Sequence, residues 1–168
     1  MSGIWYDLDS TDALYNAPLG KMNSSYLDLV VDRVSGGQVT KYFVCPGSDT
    51  SIFRGKHWSI YAEGFDLNKG PEQKCMCGEK SEWMYRFAHN LHSLLAQGVD
   101  PVAYTLKRAR QKNMEAWISM RMNDIHGGED PHSPIHCPFW KEHPELHISD
   151  VPYENSLDYS TGKCGNFS

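Results

Sequence analysis

Ala109-Arg110-Gln111-Lys112-Asn113-Met114-Glu115-Ala116-Trp117-Ile118-Ser119-Met120-Arg121-Met122-Asn123-Asp124-Ile125-His126 reads as a helix end running straight into a strand. Asn113 is one of the few residues other than glycine that closes a helix in the left-handed conformation. Met114 to Met122 then predicts a strand, with Ala116, Trp117, Ile118 and Met120 apolar. Its last residues and those just beyond it, Arg121, Asn123, Asp124 and His126, are polar. In a parallel sheet, the carboxyl ends of strands and the loops beyond them form the ligand site. Arg121 and Asn123 share one strand face, because side chains alternate.

Working back from this stretch, Asp100-Pro101 starts the helix. The aspartate caps it and the proline fits its first turn. An earlier helix runs from Ser81 to about Gln97, with Trp83, Met84, Phe87, Leu91, Leu94 and Leu95 on one face and Gly98 as its stop. Residues 46 to 80 form a long polar connection holding His57, Trp58, Tyr61 and Phe65. Connections of that length in a compact domain are usually functional or disordered, and the aromatics argue against full disorder. Val39 to Cys45 is an unbroken apolar strand of the kind buried on both faces of a parallel sheet. Before it, Asn23-Ser24-Ser25 caps a helix carrying Leu27, Val30, Val31 and Val34 on one face, and Gly36-Gly37 ends that helix. Ile4 to Leu8 is the first strand, and Asp7, Asp9, Ser10 and Asp12 lead it into a loop. Strand, helix, strand, helices, strand is the order of an α/β fold with a parallel sheet.

Beyond Asn123 the chain is rich in proline and histidine and has no clear period, so residues 124 to 153 predict a second long loop. Ser156 to Tyr159 could add a short strand, and residues 161 to 168 read as an unstructured tail. The net charge of −5 and the lack of any basic run exclude a phosphate-neutralising surface and argue against nucleic acid as a partner. No apolar stretch approaches the roughly 20 residues of a membrane span. Met1 to Asp7 lacks the basic and apolar regions of a signal peptide, so the expected compartment is the cytoplasm. The five cysteines, Cys45, Cys75, Cys77, Cys137 and Cys164, are odd in number and irregular in spacing, which suits free thiols better than a disulfide framework.

His126, His132, His136, Cys137, His143 and His147 crowd one loop, with Asp124, Asp130 and Glu142 nearby. These are zinc-ligand types. Their spacing fits no standard zinc pattern, so no metal site and no cofactor are expected. Among the tryptophans, Trp58 and Trp140 lie in loops beyond strand ends and are candidates for stacking on a sugar ring. Trp117 reads as core and Trp83 as helix packing. Arg121 either shapes a ligand site or pairs with an acid such as Asp7 or Asp9.

Ser119-Met120-Arg121-Met122-Asn123-Asp124-Ile125-His126, followed by Pro138-Phe139-Trp140-Lys141-Glu142-His143-Pro144-Glu145, resembles the bacterial glycosyl-hydrolase-like family 10 barrel proteins. Members carry an R-M-N-D-x-H strand end and then an F-W-K-x-H-P-E segment. Gln97-Gly98-Val99-Asp100-Pro101 and Leu157-Asp158-Tyr159 also match, so the similarity spans roughly residues 20 to 160. The resemblance implies a partial (β/α)8 TIM-type barrel over residues 1 to 160 that acts on or binds carbohydrate. Its ligand face would comprise Asp7, Asp9, Cys45, Arg121, Asn123, Asp124, His126 and Trp140. Asp124 is the candidate for a catalytic carboxylate, although it could equally cap a loop turn through its own backbone. In the family, a further helix and a strand bearing paired acids follow the Leu157-Asp158-Tyr159 element. Here the chain reads Ser160 to Ser168 instead. A complete barrel takes about 250 residues, and a glycosidase needs two carboxylates flanking the scissile bond. The expectation is therefore a hydrolase-like domain without its main carboxylates. The alternatives are a non-catalytic glycan-binding module or one that self-associates through an open sheet edge.

Overall fold

The computed structural model describes residues 3–9, 12–73, 81–121 and 130–147. Three strands, β1 (Ile4–Asp9), β2 (Val39–Cys45) and β3 (Glu115–Ile118), form one sheet in the order β1-β2-β3. Both pairings are parallel, with Leu8 opposite Val44 and Phe43 opposite Trp117. The alternation expected from the sequence is thus an α/β fold with neighbouring parallel strands. The third strand is shorter than Met114 to Met122. Ser119 still donates its backbone N–H to the Val44 carbonyl at 3.0 Å. Beyond that, the Pro46 carbonyl accepts instead from the Ile52 N–H at 2.9 Å.

Helices α1 (Asp12–Asn16), α2 (Ser24–Asp32), α3 (Ser81–Ala96) and α4 (Pro101–Gln111) supply the other layer. The caps are those the sequence announces. The Asn23 side chain accepts from the Ser25 N–H at 2.9 Å, and Asp100 accepts from the Ala103 N–H at 2.9 Å. Asn113 closes α4 with φ +62°. The five-residue α1 was not foreseen, nor was α5 (Pro138–Glu142) inside the second long loop. The expected strand at Ser156 to Tyr159 and the tail at 161 to 168 lie outside the described residues.

The two faces of the sheet differ. Tyr42, Val44 and Leu8 join Leu14, Val31, Leu91, Leu94 and Ala109 in one apolar core beneath the helices. The opposite face carries Trp5, Asp7, Lys41, Phe43, Glu115 and Trp117, and no helix packs on it among the described residues. Lys41 bridges the outer strands there, 3.5 Å from Glu115 and 4.7 Å above the Trp5 ring. Trp117, read from the sequence as core, is instead 52% exposed on this face.

Helices α2 and α4 are tied by charge. Arg108 grips Asp32 with two nitrogens, at 2.9 and 2.5 Å, and its Nε lies 3.2 Å from Asp28. Lys112 reaches Asp32 at 3.1 Å. Hydrogen bonding from Arg108, aided by Lys112, holds the Asp32 carboxyl below its ordinary value. A carboxylate lowered on folding contributes stability above its unfolded pKa, about 3.9, and loses it as pH falls through the folded value. Asp32→Asn should therefore lower the melting temperature by a few degrees at pH 7, with the gap to the unaltered chain closing as pH falls toward 3. The effect stays small because both partners are partly solvated. A gap of the same size at both pH values would rule out the charge as its source.

Candidate functional site

The carboxyl ends of the three strands converge. Asp9 ends β1, Cys45 ends β2, and Arg121 lies three residues beyond β3. Their side chains meet at the mouth of a cleft of about 290 Å³. Arg121 Nη2 stands 3.2 Å from Asp9 Oδ2, and this pair is partly open to solvent. The acid pairing considered for Arg121 is therefore made. Both members also border the cleft, so the pair presents a donor and an acceptor side by side to anything bound there.

Loops and helices build the cleft's walls. Ser48, Thr50 and Ile52 come from the connection after β2, where Gly47 makes a tight turn. Ser51 pins that turn from beneath. It is fully buried, its Oγ donates to the Phe53 carbonyl at 2.8 Å, and its N–H donates to the Ser59 carbonyl at 2.9 Å. Aromatic rings form the far wall. Tyr15 of α1 contacts Trp83 edge-on at 4.8 Å and Phe87 at 4.9 Å, and Tyr61 meets Phe87 at 4.5 Å. Burial, assisted by the charge of Asp9, pushes the Tyr15 hydroxyl well above its ordinary pKa, so it stays protonated and can donate.

A second depression of about 360 Å³ adjoins the first and shares Asp9, Cys45 and Arg121 with it. It adds Asp7 and Ser119, whose Oγ donates to Asp7 at 2.8 Å. Asp7 and Asp9 sit two apart on one strand and so face the same way. They form one wall, so they cannot flank a bond from opposite sides as a hydrolytic pair must.

Asp7, Asp9, Cys45 and Arg121 are thus brought together as expected. Asn123, Asp124 and His126 lie outside the described residues. Trp140 is elsewhere, and its expected role as a sugar platform needs correction. It is 3% exposed, with the His136 ring stacked on it at 3.5 Å and the His147 ring at 4.2 Å. No ring face is left for a ligand. Trp58 leans on Phe53 at 5.6 Å and is not among the cleft's lining residues. The tryptophan at the cleft is Trp83, which its helical position had marked as packing; it is 40% exposed. Tyr15 escaped notice because α1 is too short to show a period. Tyr61 and Ile52 sit in the long connection, where only the presence of aromatics gave a signal.

Three histidines of the second loop turn ring nitrogens toward separate partners. His136 Nδ1 lies 3.6 Å from Asp49, His143 Nδ1 lies 2.9 Å from Glu145, and His147 Nε2 lies 3.0 Å from the Trp140 carbonyl oxygen. Burial raises the Cys137 thiol pKa, and its Sγ accepts from the Trp140 N–H at the start of α5. Among the described residues, no three His, Cys, Asp or Glu side chains group as a metal site. No helix among them is long and apolar enough to cross a membrane. No family model matches the chain, and no curated protein matches it.

Proposed function

We propose that this chain is a carbohydrate-directed, glycoside-hydrolase-like domain on a partial (β/α)8-type scaffold, and that its described residues bind a sugar without cleaving it. The observation that carries this reading is the cleft where Arg121 and Asp9 stand beside the Tyr15–Trp83 aromatic wall. Sugars need that combination. Their hydroxyls take paired donors and acceptors, and their C–H faces settle on aromatic rings. The motif resemblance in Ser119 to His126 points the same way. The scaffold reading draws on the bare sheet face, because all-parallel sheets are covered on both sides in nearly every fold that uses them. A barrel interior is such a cover. A crystal structure with Trp5, Phe43 and Trp117 open to solvent on a free-standing sheet would count against the barrel.

The functional test is calorimetric titration of the purified chain with a panel of mono- and disaccharides, run beside turnover assays on the same sugars. Weak binding without turnover is expected. Arg121→Ala should lower the affinity about tenfold, on the order of one charge-assisted hydrogen bond, and leave the far-ultraviolet circular dichroism unchanged. Absence of binding across the panel would sink the reading. Turnover abolished by Asp124→Asn would show that the chain hydrolyses after all, with Asp124 as the acid.

A further inference from the structure

The two adjoining depressions differ in chemistry, and that difference narrows the ligand. On one side of the Asp9–Arg121 pair stand Asp7 and Ser119, already hydrogen-bonded to each other at 2.8 Å and open to solvent. On the other side the cleft runs inward between Ile52, Tyr61, Phe87 and Ile135, with Tyr15 and Trp83 toward its mouth. A free sugar bears hydroxyls around its whole edge. One C–H face can rest on the ring of Trp83 at the rim, but pushed deeper between the aromatic walls those hydroxyls would leave water for carbon, at a cost that only new hydrogen bonds offset. An apolar ring entering the same cleft pays no such cost. Size agrees with this, since a cavity of roughly 150 Å³ suffices for benzene and the cleft offers about 290 Å³.

Resting on the carbohydrate reading above, we propose that the site takes an amphipathic glycoside. Its sugar lies beside Asp7, Ser119 and the Asp9–Arg121 pair, and an apolar, aryl-sized group attached to that sugar fills the cleft between Ile52, Phe87, Tyr15 and Trp83. The Asp9–Arg121 pair then stands at the junction, where the linking oxygen passes from the polar depression to the aromatic one. The chain recognises both halves at once, so neither the sugar nor the aryl group alone reaches the affinity of the two joined.

Matched pairs of methyl and phenyl glycosides of the same hexoses, titrated calorimetrically into the full chain, test this. The phenyl member should bind about tenfold tighter, since it alone buries a ring. That advantage should vanish in Trp83→Gln and largely survive in Trp83→Phe. Should the glutamine variant fold poorly, saturation-transfer NMR on the unaltered chain replaces it. The aryl protons should then receive more saturation than the sugar-ring protons. Equal affinity of the two members, or stronger saturation of the sugar ring, overturns the proposal and leaves the carbohydrate reading standing. Phenol binding as tightly as the phenyl glycoside overturns it as well. If neither glycoside binds, both readings fall together.

Discussion

Asn90→Leu should lower the unfolding free energy by about 2–6 kcal/mol. Asn90 sits on α3 with no solvent exposure, and its Nδ2 donates to the carbonyls of Leu14 and Ala17, each at 2.9 Å. Those carbonyls belong to the last turn of α1 and the residue just after it, where a helix has no partners of its own. Leucine keeps the branched outline, though it is bulkier, and donates nothing, so two buried acceptors lose their partners at about 1–3 kcal/mol each. Alanine would be a poorer test, because the space it opens could admit a water. The readout is the midpoint of urea unfolding, with the slope checked for constancy. A loss under about 0.5 kcal/mol, the range of ordinary surface changes, would show that α1 holds its place without this bond. The consequence reaches the cleft too. A helix of five residues cannot stand alone, and α1 carries Tyr15.

Gly47→Ala is the second large effect. Gly47 has φ +129°, a region that side chains rarely enter, and an added Cβ would lie 2.0 Å from the Thr50 carbonyl oxygen. That oxygen is backbone and accepts from the Ser48 N–H at 3.2 Å, so the turn must open to make room. Strain of this kind costs about 1–3 kcal/mol. Ser48, Thr50 and Ile52 move with the turn, and all three line the cleft. The variant should therefore melt several degrees lower and lose most of its saccharide binding. A melting curve superimposable on that of the unaltered chain would mean that the turn tolerates a side chain and is not set by Gly47.

The parallel sheet and its three long helices were legible because they rest on local signals. Asn23 and Asp100 cap, Asn113 closes in the left-handed conformation, and the apolar periods of Leu27 to Val34 and Trp83 to Leu95 exceed two turns. The shorter pieces carry no such signal. Helix α1 begins among aspartates that read equally well as a loop. The end of β3 depends on where β2 stops offering partners, a tertiary fact that Met120 and Met122 cannot announce. For the site, strand alternation sufficed to group Asp7, Asp9, Cys45 and Arg121. Trp117 and Trp140 were misassigned for one shared reason. A tryptophan looks the same in sequence whether its ring faces solvent, a cleft or two histidines, so Trp117, Trp83 and Trp140 each landed where neighbours distant in sequence put them.

The buried Ser51 hub divides the path from Pro46 to Gly70 into two parts with different freedoms. Up to Tyr61 the chain is knotted upon itself. Ile52 bonds back to Pro46 at 2.9 Å and Tyr61 bonds back to Ser51 at 3.0 Å, so this part holds its shape as a unit. From Glu63 to Gly70 it runs in turns and one short 3-10 helix, with Phe65 and Leu67 laid against the core and Asn68 and Lys69 exposed. Lengthening a surface excursion costs little, because closure entropy grows only with the logarithm of length. Insertions or deletions at the exposed turn around Asn68 and Lys69 therefore cost the fold little, and neither residue lines the cleft. The clasp that seats Ile52 and Tyr61 would be inherited intact. In this chain, the stretch with room to drift and the stretch that keeps the cleft standing occupy successive parts of one connection.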